Sequence, residues 1–354
     1  MQNTVKPTKA KKIVDQNEQG FTMLEVIVAM TIFLIISGAI WGVLRVAMLS
    51  RTTVNQQVQL AKNVRLALNI IGKDTYNAGY GYPLKSTVVL PDNRISTAIG
   101  IPVDTDTSRD TVPPVLAGNN ITVDNFNTTA NTKTDQITLL FKDSSFNQVG
   151  GVSTPLNINA ATTTSGGIDE IVPISGSNAG CRVNDIYLVT GNTGSTIGLA
   201  TALNGTTAVQ FSNGDLLGFN QTGTTGPLRG ITLPASMMRI KMITYFVASD
   251  GTLTRREFAN ITPAVAYVDE PLVYNVENFQ IQYIMDSGAI TDNPSAGPDL
   301  TAGTADDVQS NLAAVRQIRY TVSVRSTELN SSGQPFRETM TSTFSTRNMG
   351  YDVN

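Results

Sequence analysis

One carboxylate stands out because its surroundings are apolar. Glu25 is the only charged residue in the stretch from Gly20 to Leu44, which reads GFTMLEVIVAMTIFLIISGAIWGVL. An acid in hydrocarbon costs about 2.5 kcal/mol or more, so an intramembrane acid usually has a partner and a function. A buried carboxylate needs a counter-charge. The chemistry we expect is therefore ion pairing in an apolar setting.

The length of this stretch predicts a helix that spans a membrane. A helix of two dozen residues rises by about 1.5 Å per residue and covers the roughly 30 Å of a bilayer core. We assign residues 21–44 to this transmembrane half. Apolar residues at steps of three and four continue the helix through an amphipathic half, 45–76. The glycines and proline of NAGYGYP (77–83) predict its end.

Two glycines within the apolar half form a GxxxG pair, Gly38 and Gly42. Small residues at this spacing let two helices approach closely. Glycine is also common in membrane helices without such a role. The sequence leaves both interpretations open.

The first 20 residues form a basic leader. Its four lysines outnumber its two acids, Asp15 and Glu18. Positive charge before an apolar helix favours a cytoplasmic N-terminus. The remaining chain would then lie outside the cytoplasm, attached to the inner membrane by a single span.

Residues 77–354 predict a β-rich head. Segments such as DQITLLF (135–141) and RIKMITYFV (239–247) have strand composition, and Asp250-Gly251 predicts a hairpin turn. We also predict a strand at DLLGF (215–219). The sequence thus predicts an α+β fold in which the long N-terminal helix, transmembrane half plus amphipathic half, packs on an antiparallel β-rich head.

Several polar stretches of the head predict loops or insertions rather than core. Their content of Asn, Thr and Ser favours turns. The stretches are 91–134, 142–168 and 191–235. Arg255 and Arg256 follow a turn, and we expect them on a solvated strand face.

The composition argues against several function classes. The 354 residues include no histidine, the commonest general base, and one cysteine, Cys181, which we expect to be a small buried hydrophobe. No recognisable catalytic triad, phosphate loop or zinc motif is present, so we expect no enzyme. A net charge of −3 argues against nucleic acid as a partner.

An acidic loop is the one candidate metal site. The segment 286–307 places several aspartates among Gly, Asn and Pro, and carboxylates on such a loop suit Ca²⁺. The candidate ligands are Asp292, Asp299, Asp306 and Asp307. A solvated acidic hairpin between two strands is the alternative, and beyond this possible Ca²⁺ we expect no cofactor.

The N-terminal residues resemble the class III signal of type IV pilins and pseudopilins. The resemblance is carried by a short basic leader, a glycine and then FTMLEVIVAM. It implies that a prepilin peptidase cuts after Gly20 and that the new N-terminal Phe21 is N-methylated. Glu25 is then the fifth mature residue, which in this family pairs with the amine of Phe21 on its own or a neighbouring chain.

The head resembles the PilW-like minor pilins. Blocks such as KDTYNAGYG (73–81), ITYFVASDGTLTRREF (243–258) and RQIRYTVSVRS (316–326) follow that family's order. The resemblance implies a minor pilin that primes or caps a type IV pilus, with other minor pilins, the major pilin and the inner-membrane assembly platform as partners. A J-type minor pseudopilin of a type II secretion system and a pilus-borne adhesin are the alternatives.

Overall fold

The computed structural model divides the chain into two compact units, Met1–Asn55 and Gln56–Asn354. It describes residues 20–83, 88–103, 107, 109–123, 133–163, 169–220, 228, 231–259, 265–292, 294, 314–329 and 333–346. Helix α1, Met23–Asn77, contributes to both units. The long N-terminal helix and the β-rich head together confirm the predicted fold class.

The part of α1 in the first unit is exposed along almost its whole length. Among the described residues, α1 is the one helix long and apolar enough to cross a membrane, judged by length and composition. Its end at Asn77 agrees with the predicted stop. Gly79 and Gly81 follow with φ of 77° and 69°, a left-handed backbone that favours glycine.

The second unit contains a short helix and the strands. Helix α2 spans Arg94–Ile99. The strands are β1 Val88–Leu90, β2 Asp110–Thr111, β3 Val115–Val123, β4 Lys133–Lys142, β5 Gln148–Val149, β6 Val152–Ser153, β7 Leu156–Thr163, β8 Asp169–Pro173, β9 Ile186–Thr190, β10 Ser195–Leu199, β11 Ala202–Asn204, β12 Ala208–Phe211, β13 Ala235–Val247, β14 Leu253–Phe258, β15 Tyr267–Val273, β16 Val276–Met285, β17 Ile290–Thr291, β18 Val315–Leu329 and β19 Pro335–Ser345.

The larger sheet is organised around β13. The first part of β13 pairs with β7 and β9, and the second part pairs with β4 and β14. The path β11-β12-β8-β7-β13-β9-β10-β1-β2 runs through it, with β3 beside β4 and β15 beside β14. Among the described pairs in this sheet, β1 with β10 is parallel and the others are antiparallel.

A second sheet has the antiparallel order β17-β16-β18-β19. The buried face of this sheet, together with β4 and β13, packs against one face of the C-terminal turns of α1. Val64, Leu68 and Ile71 are at most 2% exposed and share one core cluster with residues of both sheets. Apolar residues at helical spacing therefore form the face that fixes this part of α1 in the head.

A polar network also ties α1 to the head. Asp74 accepts hydrogen bonds from the Tyr245 hydroxyl at 2.6 Å and from the Arg255 guanidinium at 3.1 Å. The Arg255 side chain is only 15% exposed, and its guanidinium also contacts the Glu257 carboxylate. Our expectation that Arg255 lies on a solvated face is wrong, because a helix carboxylate covers it. Arg256 instead stacks over the ring of Tyr267 at 3.6 Å.

The polar stretches predicted to be loops contain much of the sheet, so this prediction is wrong. The first holds α2, β2, β3 and the start of β4, the second holds β5 to β7, and the third holds β10 and β11. Strand β10 is buried at every position despite its Ser and Thr. Thr196, for example, donates its hydroxyl hydrogen bond to the Val89 carbonyl at 2.8 Å. Hydroxyls that find such partners are tolerated in a core.

Two short predictions have opposite outcomes. The hairpin at Asp250-Gly251 is confirmed: it joins β13 to β14, and Gly251 has a φ of 79°. The strand predicted at 215–219 is wrong, because Asp215 accepts backbone hydrogen bonds from Leu217, Phe219 and Asn220. A side chain that binds local amides in this way makes a turn instead of a ladder.

Candidate processing and assembly site

The predicted cleavage point lies just outside the helix. Gly20, Phe21 and Thr22 precede the first helical residue, Met23. Phe21 is 87% exposed. The backbone between Gly20 and Phe21 is therefore not engaged in the helical ladder, which is the condition that a peptidase needs at a scissile bond.

Thr22 and Glu25 form reciprocal hydrogen bonds at the start of the helix. The backbone N–H and the hydroxyl of Thr22 each donate to Oε2 of Glu25 at 2.9 Å, and the N–H of Glu25 donates to the Thr22 hydroxyl at 3.3 Å. This reciprocal pattern is a capping box, in which the first and fourth residues satisfy each other's amides. It also places a negative charge at the positive end of the helix dipole.

The capping box changes the interpretation of Glu25. In the uncleaved chain the nitrogen of Phe21 is a peptide amide and cannot act as a counter-charge. The donors that Glu25 has in this structure come from Thr22 of the same chain. Sequence reasoning on Glu25 alone missed Thr22, although the spacing T-x-x-E was a recognisable signal. The pairing of Glu25 with an amine stays a prediction.

Gly38 and Gly42 lie on an open face of α1. Apart from the adjacent residues and the backbone of the same helix, no atom of a described residue lies within 4 Å of where a Cβ would stand at either position. Three residues after Gly38, the ring of Trp41 has the Arg45 guanidinium 5.8 Å from its centroid. Trp and Arg at the end of an apolar helix are typical of a membrane interface. Close helix packing at the two glycines stays a prediction.

The acidic loop is largely outside the described residues. Asp299, Asp306 and Asp307 all lie outside the described residues. Asp292 is described and exposed, and it accepts a hydrogen bond from Gln282 at 3.0 Å. No group of three or more potential ligands forms among the residues that the structure describes. The calcium site stays a prediction.

A buried ion network lies in the head, away from the N-terminus. The Arg239 guanidinium donates to Asp143 at 2.8 Å and to Asp185 at 2.9 Å, and all three side chains are at most 6% exposed. Two carboxylates around one guanidinium satisfy charges that would otherwise be costly to bury. No sequence pattern indicated this cluster, because its members come from separate elements.

Cys181 is buried beside this network, as predicted. Burial raises the pKa of its thiol to about 11. Since the thiolate is the reactive form, the side chain stays protonated and unreactive at neutral pH.

Comparison with known proteins bears on the N-terminal segment. Residues 15–41 match the family model described as the prokaryotic N-terminal methylation motif. No curated protein matches the chain. The match supports a precursor of the type IV pilin or pseudopilin kind, with processing by a prepilin peptidase and assembly in a membrane context. It points to a structural subunit rather than an enzyme, and it fits a membrane-anchored protein.

Proposed function

We propose that the chain is a minor pilin of a type IV pilus. It is inserted in the inner membrane with its head outside the cytoplasm, cleaved after Gly20 and N-methylated at Phe21. It then joins other minor pilins in a complex that primes pilus assembly. The observation that carries the proposal is the methylation motif at 15–41, directly ahead of an apolar helix with one acid.

The site geometry supports this sequence of events. The bond between Gly20 and Phe21 lies outside α1, where an enzyme can reach it. Cleavage produces a positive amine four residues before Glu25. In the fibre, the apolar helix is buried among neighbouring helices, where a carboxylate and an amine stabilise each other. The large β-rich head and the resemblance of its sequence to PilW-like minor pilins favour a minor subunit.

A minor pseudopilin of a type II secretion system is the second candidate. The methylation motif favours it equally, because pilins and pseudopilins share this signal. The subunits that co-purify with the full chain from solubilised membranes distinguish the two proposals. Pilus minor subunits support the first candidate, and secretion-complex subunits support the second. If the chain is instead an adhesin carried by the pilus, cells that lack it should lose attachment while the number of pili stays unchanged.

Mass spectrometry of the mature N-terminus tests the processing step. We expect the wild-type chain to begin at N-methylated Phe21. The substitution Gly20→Ala should leave an uncleaved precursor that migrates more slowly on a gel, because the glycine at the cut is part of the signal. A mature chain that begins at Met1, or Gly20→Ala that is processed at the wild-type rate, would contradict the proposal.

A further inference from the structure

The chain contains two Asn-Gly dipeptides, Asn204-Gly205 and Asn213-Gly214. Asparagine is a thermolabile residue, and it is most labile before glycine, which has no side chain to block attack by its backbone nitrogen on the asparagine carboxamide. Both dipeptides are exposed, and both glycines have a left-handed backbone, with φ of 56° at Gly205 and 85° at Gly214. Sequence and exposure therefore do not distinguish the two.

The turn that follows β12 brings the reacting groups of Asn213 together. The N–H of Gly214 donates to Oδ1 of Asn213 at 2.9 Å, so the attacking nitrogen lies beside the carbonyl whose carbon it must reach. Reacting groups held about 3–3.5 Å apart in a suitable orientation react much faster than freely moving ones. Apart from the adjacent residues, no described atom lies within 4 Å of where a Cβ would stand at Gly214, so the approach is open.

The carboxamide of Asn204 is held away from this reaction. Its Nδ2 donates to the Glu170 carboxylate of β8 at 2.9 Å, and its backbone pairs with Ala208 at the end of β11. Its carbonyl accepts from the Thr207 amide at 3.4 Å. The bond to Glu170 fixes the carboxamide toward a neighbouring strand and must break before Gly205 can attack it.

We propose that Asn213 is a site of spontaneous deamidation that the fold promotes, an inference that stands apart from the proposed function. The Gly214 nitrogen gives its proton to water or hydroxide and forms a bond to Cγ of Asn213. The bond from Cγ to Nδ2 breaks, and Nδ2 takes up a proton and leaves as ammonia. Water then opens the succinimide ring at either of its carbonyls to give aspartate or isoaspartate. The reaction consumes water and needs no oxidant, reductant or enzyme.

The product changes both the charge and the backbone of this turn. The new acid is negative at neutral pH, because the pKa of an aspartate is about 3.9. It lies two residues before the buried Asp215, whose carboxylate accepts backbone hydrogen bonds from Leu217, Phe219 and Asn220. Isoaspartate also lengthens the main chain by one methylene. The converted chain is therefore a more acidic species in which the turn after β12 is weakened.

Peptide mapping of the full chain tests the inference. The purified chain is incubated in detergent in mildly alkaline buffer and then digested with pepsin at low pH, where the reaction is suppressed. Mass spectrometry measures the converted fraction at each asparagine, and protein isoaspartyl methyltransferase labels the isoaspartate. We expect about tenfold more conversion at Asn213 than at Asn204, because only Asn213 has its attacking nitrogen in place. A parallel sample unfolded in urea should lose this difference.

Two variants serve as controls. Asn213→Gln keeps a primary amide, but its longer side chain would have to close a larger ring, so conversion at this position should disappear. Asn204→Gln is the matched control at the other dipeptide and should leave the conversion of Asn213 unchanged. Conversion should also rise with pH, because the attacking form of the Gly214 nitrogen is deprotonated.

Equal conversion at the two asparagines of the folded chain, or faster conversion at Asn204, would overturn the inference. So would an unchanged Asn213 after an incubation in which the urea sample converts. None of these results bears on processing at Gly20, so the proposed function would stand.

Discussion

At the scale of single residues, the Glu25 carboxylate is bound by Thr22 in the described chain and would meet a different partner after the proposed cleavage. In the uncleaved chain, Thr22 donates two hydrogen bonds to its carboxylate. After the proposed cleavage, a positive amine arises at Phe21. A capping side chain contributes about 1 kcal/mol to a helix, and a charge left unpaired in an apolar setting costs several times more. The amine is therefore the partner that assembly would depend on.

Two substitutions separate the capping role of Glu25 from its charge. Glu25→Gln keeps an oxygen that accepts from Thr22 but removes the charge, and Glu25→Ala removes both. We expect both variants to insert in the membrane. The amount of each variant in sheared pili should fall at least tenfold, because the Phe21 amine has no counter-charge. Immunoblots of the membrane and pilus fractions measure this ratio.

Thr22→Ser, which keeps the hydroxyl of the capping box, is the matched control and should enter pili at the wild-type level. Normal incorporation of Glu25→Gln would show that hydrogen bonding to Thr22, and not ion pairing, is what assembly requires.

At the scale of elements, a glycine sets how closely α1 approaches the sheet. A Cβ added at Gly72 would fall within the ring of Phe344, a residue of β19 that packs against the core. Glycine inside a helix normally costs about 1 kcal/mol relative to alanine. Here that cost is offset by the contact that the missing side chain permits, in the same turns where Asp74 binds Tyr245 and Arg255.

Gly72→Ala should therefore destabilise the head in spite of its better helix propensity. We expect the free energy of unfolding to fall by about 1–3 kcal/mol, the usual cost of overpacking. Urea unfolding of the purified chain in detergent measures the change.

The double variant Gly72→Ala, Phe344→Ala is the control for this mechanism. It should lose less stability than the sum of the two single variants, because the smaller side chain leaves room for the new methyl group. Additive losses would show that Phe344 is not the cause.

At the scale of the whole molecule, Asp135 links the two sheets of the head. It lies in β4 and is 2% exposed. Its Oδ2 accepts from the Ile281 amide of β16 at 2.7 Å, and its Oδ1 accepts from the Asn120 amide of β3 at 2.9 Å. One buried carboxylate thus satisfies backbone groups in both sheets. Because a carboxylate titrates, its contribution to stability depends on pH.

Burial raises the pKa of Asp135 from 3.8 to about 6, although its two backbone hydrogen bonds oppose the shift. Because the folded-state value is the higher one, the charged form is penalised on folding. The contribution of Asp135 to stability is therefore fully present below about pH 4 and is lost as the pH rises through about 6. We expect a change of up to about 3 kcal/mol, from two pKa units.

Comparison with Asp135→Asn isolates this group from the other acids. The free energy of unfolding of the wild type minus that of the variant should fall between pH 4 and pH 7. Denaturant titrations at several pH values measure this difference. A difference that is constant or rises with pH would contradict the assignment.

The sequence by itself determined the features that local patterns encode. The apolar run fixes a long helix, its acid and leader indicate a processing signal, and alternation in β13 and β18 predicts strands, because period and length are properties of neighbouring residues. The breaker residues after Asn77 likewise fix the helix end.

Only the tertiary structure decided what depends on distant partners. Ser- and Thr-rich segments such as β10 are core strands because other strands supply acceptors for their hydroxyls. Arg239 is a buried ion and Arg255 covers a helix acid because carboxylates from other elements meet them. A polar residue gives the same sequence signal whether it lies in a loop or in a core. Residues far away in the chain decide whether its hydrogen bonds and charge are satisfied.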